Sequence, residues 1–226
     1  QRIRYDDGVG EIMGCKITKS LKKILPSIKE CRKRNNVCPL SSEKELMKIG
    51  KAEYVDKGNS RRGYGFKGTR NSSCIIKNPI SDYDRGDNIA EIVGWKRLPQ
   101  NARKYFVEIS DYDKNGEWIT QPRIKTLAEL GSARPLMDFD KILGDLGIMC
   151  EDIRTDNVGI EFRDLKKPIT PQRMKLLDYG FGVCFKGRML SSRSTIRENI
   201  LKKIKIRYNH TNTITPELFR RLGNGM

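Results

Sequence analysis

The sequence predicts an α+β protein that is strand-rich in its first half and helical in its second. Between residues 51 and 80, short apolar stretches alternate with glycine breaks, a pattern typical of strands joined by tight turns. After Pro122 the apolar residues recur at helical spacing through residues 125–146. A chain of 226 residues is long enough to bury one domain, or one domain made of two lobes.

Composition excludes two classes of protein. With 37% hydrophobic and 32% charged residues, the chain is neither disordered nor membrane-spanning. No uninterrupted apolar run approaches the roughly 20 residues that cross a bilayer, so no transmembrane segment is expected. The six cysteines include no C-x-x-C pair, which argues against a zinc site. Their even number is compatible with disulfides, but a chain with this much core does not need them, which favours free thiols in a reducing cytosol. We therefore expect a cytoplasmic protein.

The elements are predicted in order from periodicity, glycine breaks and capping residues. The expected strands are AEYVD, YGFKG and SSCIIK, then KYFVEIS and EWITQPRI around a turn at 111–116, and later VGIEF and MKLLDYG. The expected helices cover 88–97, 125–146, a basic helix from Thr195 to about Arg207, and a last helix from Thr215 to Gly223.

The basic residues are concentrated at the two ends of the chain. The net charge is +17. Residues 1–50 contain 12 Lys and Arg against 6 Asp and Glu, and residues 186–226 contain 10 against 2. The flanks predict an anionic partner, an acidic protein, nucleic acid or a membrane surface, through 16–36 and 196–207. The alternatives are an amphipathic helix that packs on its own domain and a basic surface that is merely solvated.

The stretch 146–182 contains the residues that suggest chemistry. Asp152, Arg154 and Asn157 lie in a loop before a strand, and Asp178 follows two apolar residues. Phosphoryl transfer needs a carboxylate that accepts the substrate hydroxyl's proton and oxygen ligands for magnesium. Asp152 is the candidate proton acceptor, Asn157 and Asp178 are candidate Mg2+ ligands, and Arg154 would neutralise the transferred phosphate. The alternative is a pair of ordinary polar turns.

These two segments resemble the catalytic loop H-R-D-L-K-x-x-N and the D-F-G motif of protein kinases. The resemblance covers about residues 46–190. It implies a two-lobed protein-kinase-like fold that binds ATP and Mg2+, with a five-stranded small lobe over 46–122 and a reduced helical lobe over 123–226. Residues 1–45 form a basic flank outside it.

The upstream half is similar to the family as well. Cys74-Ile75-Ile76-Lys77 resembles V-A-I-K, which makes Lys77 the lysine that grips the α- and β-phosphates and Glu91 its partner. The alternative for Glu91 is an exposed helix carboxylate. Two glycine-rich stretches are candidates for the phosphate loop: Gly63-Tyr64-Gly65-Phe66-Lys67-Gly68 matches G-x-G-x-x-G, and Gly58–Gly63 contains Arg61 and Arg62, which either contact phosphate or are solvated.

The same resemblance places Gln121-Pro122-Arg123 at the hinge that would hydrogen-bond adenine. Two departures from the family stand out. Cys150 and Glu151 replace its His-Arg, and only 46 residues follow Gly180, with no A-P-E motif. The chain therefore resembles the trimmed kinases of some viruses and those that bacteria inject into hosts, which dispense with activation-loop phosphorylation. Such an origin would place it in host cytoplasm or a virion.

The predicted function is a minimal Ser/Thr protein kinase acting on an unidentified protein. One alternative is a pseudokinase or scaffold that binds nucleic acid or a structural partner through the flanks. A purely nucleic-acid-binding protein would leave the motif spacing unexplained. Retention of Lys77, Asp152, Asn157 and Asp178 together favours activity.

Overall fold

The computed structural model describes Cys15 and residues 52–57, 60–66, 74–81, 83–180 and 182–209. Within these ranges the chain has the predicted α+β composition, with three α-helices and three small antiparallel sheets. The N-terminal segment 16–36 and the predicted last helix from Thr215 lie outside the described residues. The described part contains no helix with the length and apolar character needed to cross a membrane.

The largest sheet has five strands, formed by the first half of the chain. They are β1 (Ala52–Lys57), β2 (Arg61–Phe66), β3 (Cys74–Pro79), β4 (Asp111–Tyr112) and β5 (Ile119–Pro122), in the order β1-β2-β3-β5-β4. The strand β3 is central and almost wholly buried. Helix α1 (Arg85–Arg97) follows it and contacts it, which places the lysine of β3 and the carboxylates of α1 on facing elements.

The second half forms two smaller sheets and two helices. The strands β6 (Ile124–Thr126), β8 (Val158–Glu161) and β9 (Lys175–Leu176) make one sheet, and β7 (Ile148–Cys150), β10 (Gly182–Phe185) and β11 (Arg188–Ser192) make the other. Helix α2 (Pro135–Asp145) precedes β7, and α3 (Arg193–Asn209) follows β11. The β10–β11 hairpin was not among the predicted elements.

The main hydrophobic core joins the two halves. Phe139 and Leu143 of α2 are fully buried in it together with Phe106 and Tyr179. The predicted strand 104–110 is different in the structure: a 3-10 turn covers Arg103–Tyr105, and Phe106 bridges to Leu176. Three successive residues, Tyr105, Phe106 and Val107, are all buried, so the alternation expected of a strand begins only at Val107.

Three other expectations differ from the structure. The predicted helix 125–146 is shorter, because β6 takes residues up to Thr126, and Gly131 adopts a positive φ of 63° before Pro135 starts α2. Helix α3 begins at Arg193, two residues before the predicted cap. Finally, Cys15 forms a disulfide with Cys74, where free thiols were expected. Among the described residues, Cys150 and Cys184 are free.

Candidate active site

Lys77 and Glu91 form a buried ion pair between the central strand and α1. The Nζ atom of Lys77 lies 3.2 Å and 3.3 Å from the two carboxylate oxygens of Glu91. Glu91 is fully buried, which rules out the alternative of an ordinary exposed helix carboxylate. The sequence predicted this partnership, and the structure brings the two side chains together.

Two buried amide side chains fix the positions of this pair. Gln121 on β5 donates from Nε2 to Glu91 Oε2 at 3.0 Å. Asn88, one turn before Glu91 on α1, donates from Nδ2 to the carbonyl oxygens of Lys77 (3.3 Å) and Gly116 (3.0 Å). Sequence reasoning gave Gln121 only a backbone role at the hinge and missed Asn88. No pattern in the sequence marks an amide as a bridge between strands, so only the fold reveals these contacts.

Asp178 reaches the same point from the second half of the chain. It follows β9 and contacts Lys77 Nζ through Oδ1. Its φ of +55° lies in the left-handed region, which Asp adopts more readily than most non-glycine residues. The next residue holds this turn in place: Tyr179 donates its hydroxyl to the carbonyl of Val107 at 3.0 Å and packs edge-on against Phe106, with ring centroids 5.2 Å apart. Burial raises the pKa of Tyr179 well above its usual value, so it remains a neutral donor.

Gly180 allows α1 to approach the Asp178 turn closely. A Cβ at this position would lie 3.0 Å from the carbonyl oxygen of Asp87 and 3.1 Å from Glu91 Cγ. A side chain at this position would therefore press on the helix that carries Glu91, although the backbone angle of Gly180 is not unusual.

Arg61 of β2 completes a cluster of two cations and two carboxylates. Its Nη1 donates to Glu91 Oε1, and its Nη2 lies 2.5 Å from Asp178 Oδ1. Burial opposes the charge on Asp178, but Arg61 and Lys77 outweigh it and hold the pKa of this carboxyl well below its usual range. Desolvation likewise lowers the pKa of Arg61, and Asp178, Glu91 and Asp87 together raise it above its ordinary value. Arg61 and Lys77 thus keep Asp178 ionised.

The loop 152–157 is attached directly to the Asp178 turn. The backbone amide of Leu177 donates to the carbonyl of Asn157 at 2.7 Å. Asn157 in turn donates from Nδ2 to Asp152 Oδ2 at 2.8 Å and to the Asp152 carbonyl at 3.2 Å. This arrangement orients the Asn157 amide and connects Asp152 to the Lys77–Asp178 contact through one side chain and one backbone hydrogen bond.

Arg154 lies over the loop carboxylates. Its Nε is 2.8 Å from Asp152 Oδ1 and 3.4 Å from Asp156 Oδ1, and more than half of its side chain is exposed. Cys150 lies two residues before this loop, at the end of β7. Burial, with smaller contributions from Asp140 and Cys184, raises the pKa of the Cys150 thiol to about 12, so it is neutral near pH 7 and is not a thiolate nucleophile.

The remaining predicted residues have different positions. Gly63 and Gly65 lie inside β2, opposite Lys77 and Ile75 respectively, and so are strand residues. Gly58 lies outside the described residues. Arg123 follows β5, places its guanidinium 4.6 Å from the Phe162 ring centre, and accepts a backbone hydrogen bond from Phe162 at 3.1 Å.

The N-terminal end of α1 is clamped by α3. Arg197 forms ion pairs with Asp87 (2.8 Å) and Asp84 (3.1 Å), and Arg193 lies 3.6 Å from Asp87. The segment 196–207 was predicted to dock an anionic partner, yet Arg197 is committed to acids of its own chain. Lys202 is exposed, and the side chains from 203 onwards lie outside the description.

The donor set fits magnesium held partly by phosphates. Within the described ranges, no group of three or more His, Cys, Asp or Glu side chains is placed to hold a metal ion. Mg²⁺, however, commonly takes only one or two protein carboxylates and completes its shell with water and phosphate oxygens. Asp178 supplies one carboxylate. Asn157 donates to Asp152 through its amide nitrogen, and its role as a second oxygen ligand stays a prediction.

Comparisons with known proteins give little. No protein family and no curated protein matches the sequence. One solved structure with partial likeness is titled "Medium resolution structure of the bifunctional kinase-methyltransferase WbdD", with 14% identity and a TM-score of 0.36 over 55% of this chain. The match spans 30% of that protein. At this level a shared fold is not established, and the chemistry of the site rests on its own geometry.

Proposed function

We propose that the chain is a minimal ATP-dependent protein kinase that transfers the γ-phosphate of ATP to Ser or Thr of a protein substrate. The observation that supports this is the meeting of Lys77 and Glu91, from consecutive elements, with Asp178, which is 101 residues from Lys77. The Asp152–Asn157 loop is bonded to the same turn. A phosphoryl-transfer site needs a cation for the phosphates, a metal-binding carboxylate and a proton acceptor at one place.

Each residue has a distinct role in this proposal. Lys77, held by Glu91, binds the α- and β-phosphates, and its burial strengthens that attraction. Asp178 and Asn157 hold magnesium, which when bound neutralises charge on the phosphates. Asp152 accepts the proton of the substrate hydroxyl. The hydrogen bond that Asn157 donates orients the Asp152 carboxylate for this role. Arg154, freed from Asp152, stabilises negative charge on the transferred group.

Control by activation-loop phosphorylation is not part of the proposal. Glu151 occupies the position of the family's phosphate-binding arginine, and a carboxylate there would repel a phosphorylated residue. The ion pairs between α3 and α1 offer a different means of holding Glu91 toward Lys77, because they lie at the start of the helix that carries Glu91.

The test is the effect of nucleotide on thermal unfolding, with and without magnesium. ATP should raise the melting temperature far more in the presence of Mg²⁺, since binding to the folded state stabilises it. Asp178→Ala should abolish the magnesium dependence. Asp152→Ala should keep nucleotide binding and lose phosphate transfer to protein in a cell extract supplied with labelled ATP.

Two other outcomes would redirect the proposal. Equal stabilisation by ATP with and without Mg²⁺ in the wild type would favour the pseudokinase. No stabilisation by ATP at all would exclude nucleotide chemistry at this site. Lys167→Met serves as a control variant, because Lys167 is exposed and its ion pair in the described part of the chain is with Asp164.

A further inference from the structure

We infer that Arg61 is a second phosphate-binding cation of the site, which pairs with Asp178 in the absence of nucleotide and moves to the nucleotide's phosphates when Asp178 takes a metal. This inference rests on the proposed function. It concerns a residue for which the sequence left two possibilities open, phosphate contact or simple solvation.

The structure excludes simple solvation of Arg61. The side chain of Arg61 is only 11% exposed, and its guanidinium lies between two carboxylates. The strand register explains its direction. In β2, Gly63 lies opposite Lys77, and residues two apart share one face of a strand. Arg61 is therefore on the same face as Lys77, with a glycine between them that leaves space for both long side chains.

The charges of the cluster suggest an exchange. Lys77 and Arg61 both contact the same oxygen, Oδ1 of Asp178, while Glu91 also contacts both cations. Asp178 is 32% exposed and is the most accessible member. A metal on Asp178 would compete with both cations for that oxygen. Once displaced, two cations would share one remaining carboxylate.

A buried cation without an adequate partner is costly, so an anion is needed where Arg61 leaves Asp178. The polyphosphate of a nucleotide supplies that anion. A guanidinium suits this task, because its planar fork can donate two parallel hydrogen bonds to phosphate oxygens. Arg61 and Lys77 would thus bind the phosphates from one face of the sheet, and Arg61 would couple metal binding to phosphate binding.

The experiment compares the affinities of adenosine, ADP and ATP for the wild type, Arg61→Met and Arg61→Lys, measured by calorimetry with Mg²⁺ present. Loss of a charge-assisted hydrogen bond predicts ATP binding at least about tenfold weaker in Arg61→Met. Adenosine binding should be unchanged. Arg61→Lys keeps the charge and loses the fork, and should weaken ATP by about threefold, again without affecting adenosine. Arg85→Met is the matched control, since Arg85 is a partly buried arginine that pairs with Glu117 outside the cluster.

A second measurement, the affinity for a divalent metal without nucleotide, should increase in Arg61→Met where ATP affinity decreases. Removing Arg61 leaves Asp178 with one cation fewer, so Mn²⁺ alone, measured by electron paramagnetic resonance of the free ion, should bind Arg61→Met more tightly than the wild type. A purely structural ion pair predicts no such gain. Equal losses for adenosine and ATP, or undiminished ATP binding, in either variant that folds would overturn the inference. Failure of the wild type to bind ATP would instead overturn the proposed function.

Discussion

The clamp between α3 and α1 allows a quantitative prediction for Arg197→Met. Arg197 is 15% exposed and contacts Asp87 and Asp84, which are 3% and 15% exposed, at 2.8 Å and 3.1 Å. Removing one partner of a buried ion pair costs about 3–5 kcal/mol. Arg193, 3.6 Å from Asp87, remains and offsets part of this. We therefore expect a loss of about 3 kcal/mol in the free energy of unfolding, a value at the low end of that range.

The assay is urea unfolding followed by circular dichroism, with calorimetry for the melting temperature. For a chain of this length, about 3 kcal/mol corresponds to a decrease of roughly 6–12 °C. The control is Lys167→Met, whose side chain is 64% exposed and whose ion pair with Asp164 should contribute under about 1 kcal/mol. An Arg197→Met protein as stable as the Lys167→Met protein would refute the clamp.

A double-mutant cycle separates the ion pair from general disruption. Arg197→Met combined with Asp87→Asn removes both charges, so the double variant should lose less stability than the sum of the single variants, by about 1–3 kcal/mol. Additive losses would mean that the two side chains stabilise the protein independently and that their 2.8 Å contact contributes nothing specific.

Three further predictions concern the site and the flanks. Asp178 has a folded-state pKa below its unfolded value of about 3.9, so its contribution to stability is present above that pH and is lost as the pH falls toward the folded pKa. Below about pH 4, the free energy of unfolding measured in urea should therefore depend less on pH in Asp178→Asn than in the wild type. Identical pH dependences would contradict the assigned ion pairs. Gly180→Ala should lower the free energy of unfolding in urea by about 1–3 kcal/mol and weaken ATP binding, because the new Cβ presses on the backbone of α1. The control is Gly131→Ala, which has no atom within 4 Å of the added carbon and should lose stability through its positive φ alone, with unchanged ATP affinity. Lys202→Glu together with Lys203→Glu should weaken association with an acidic partner or nucleic acid and make that association less sensitive to salt, since screening acts over about 8 Å at physiological ionic strength. ATP binding should not change. Association that survives the reversal and is insensitive to salt would leave this flank as a solvated surface.

Local signals explain which parts of the fold the sequence could predict. Short apolar stretches broken by glycine predicted β1 and β3 to within two residues of their observed bounds. The predicted strand 64–68 shares only residues 64–66 with β2, because Arg61, Arg62 and Gly63 were assigned to a possible phosphate loop and instead belong to the strand. The pairing of Lys77 with Glu91 was predicted from the spacing of family motifs. Hairpin β10–β11 was not predicted. Lys186-Gly187 forms its turn, but this pair indicates a hairpin only if the residues on both sides are already known to be strands.

Long-range contacts could not be predicted in the same way. The role of Arg61 depends on the register of β2 against β3, since a shift of one residue would place Arg62 on the face of Lys77 instead. Two adjacent arginines give no local indication of which one faces the site. The bridging amides Asn88 and Gln121 are likewise defined by distant partners, which lie 11 and 28 residues away for Asn88 and 30 residues away for Gln121.

The ion pairs between α3 and α1 suggest how Glu91 could be held in place without phosphorylation. In a protein kinase the Lys–Glu pair must be formed for activity, and activation-loop phosphorylation and the position of the helix control it. Here that helix is held at its start by Arg197 and in its middle by Lys77 and Arg61, all from the same chain. Under the proposed function, a helix fixed at two points would need no phosphate to position Glu91, and the carboxylate of Glu151 beside Asp152 would repel one. If the proposed function is correct, loss of Arg197 should therefore reduce phosphate transfer together with stability, and ATP affinity should fall in the same variant because Glu91 no longer orients Lys77.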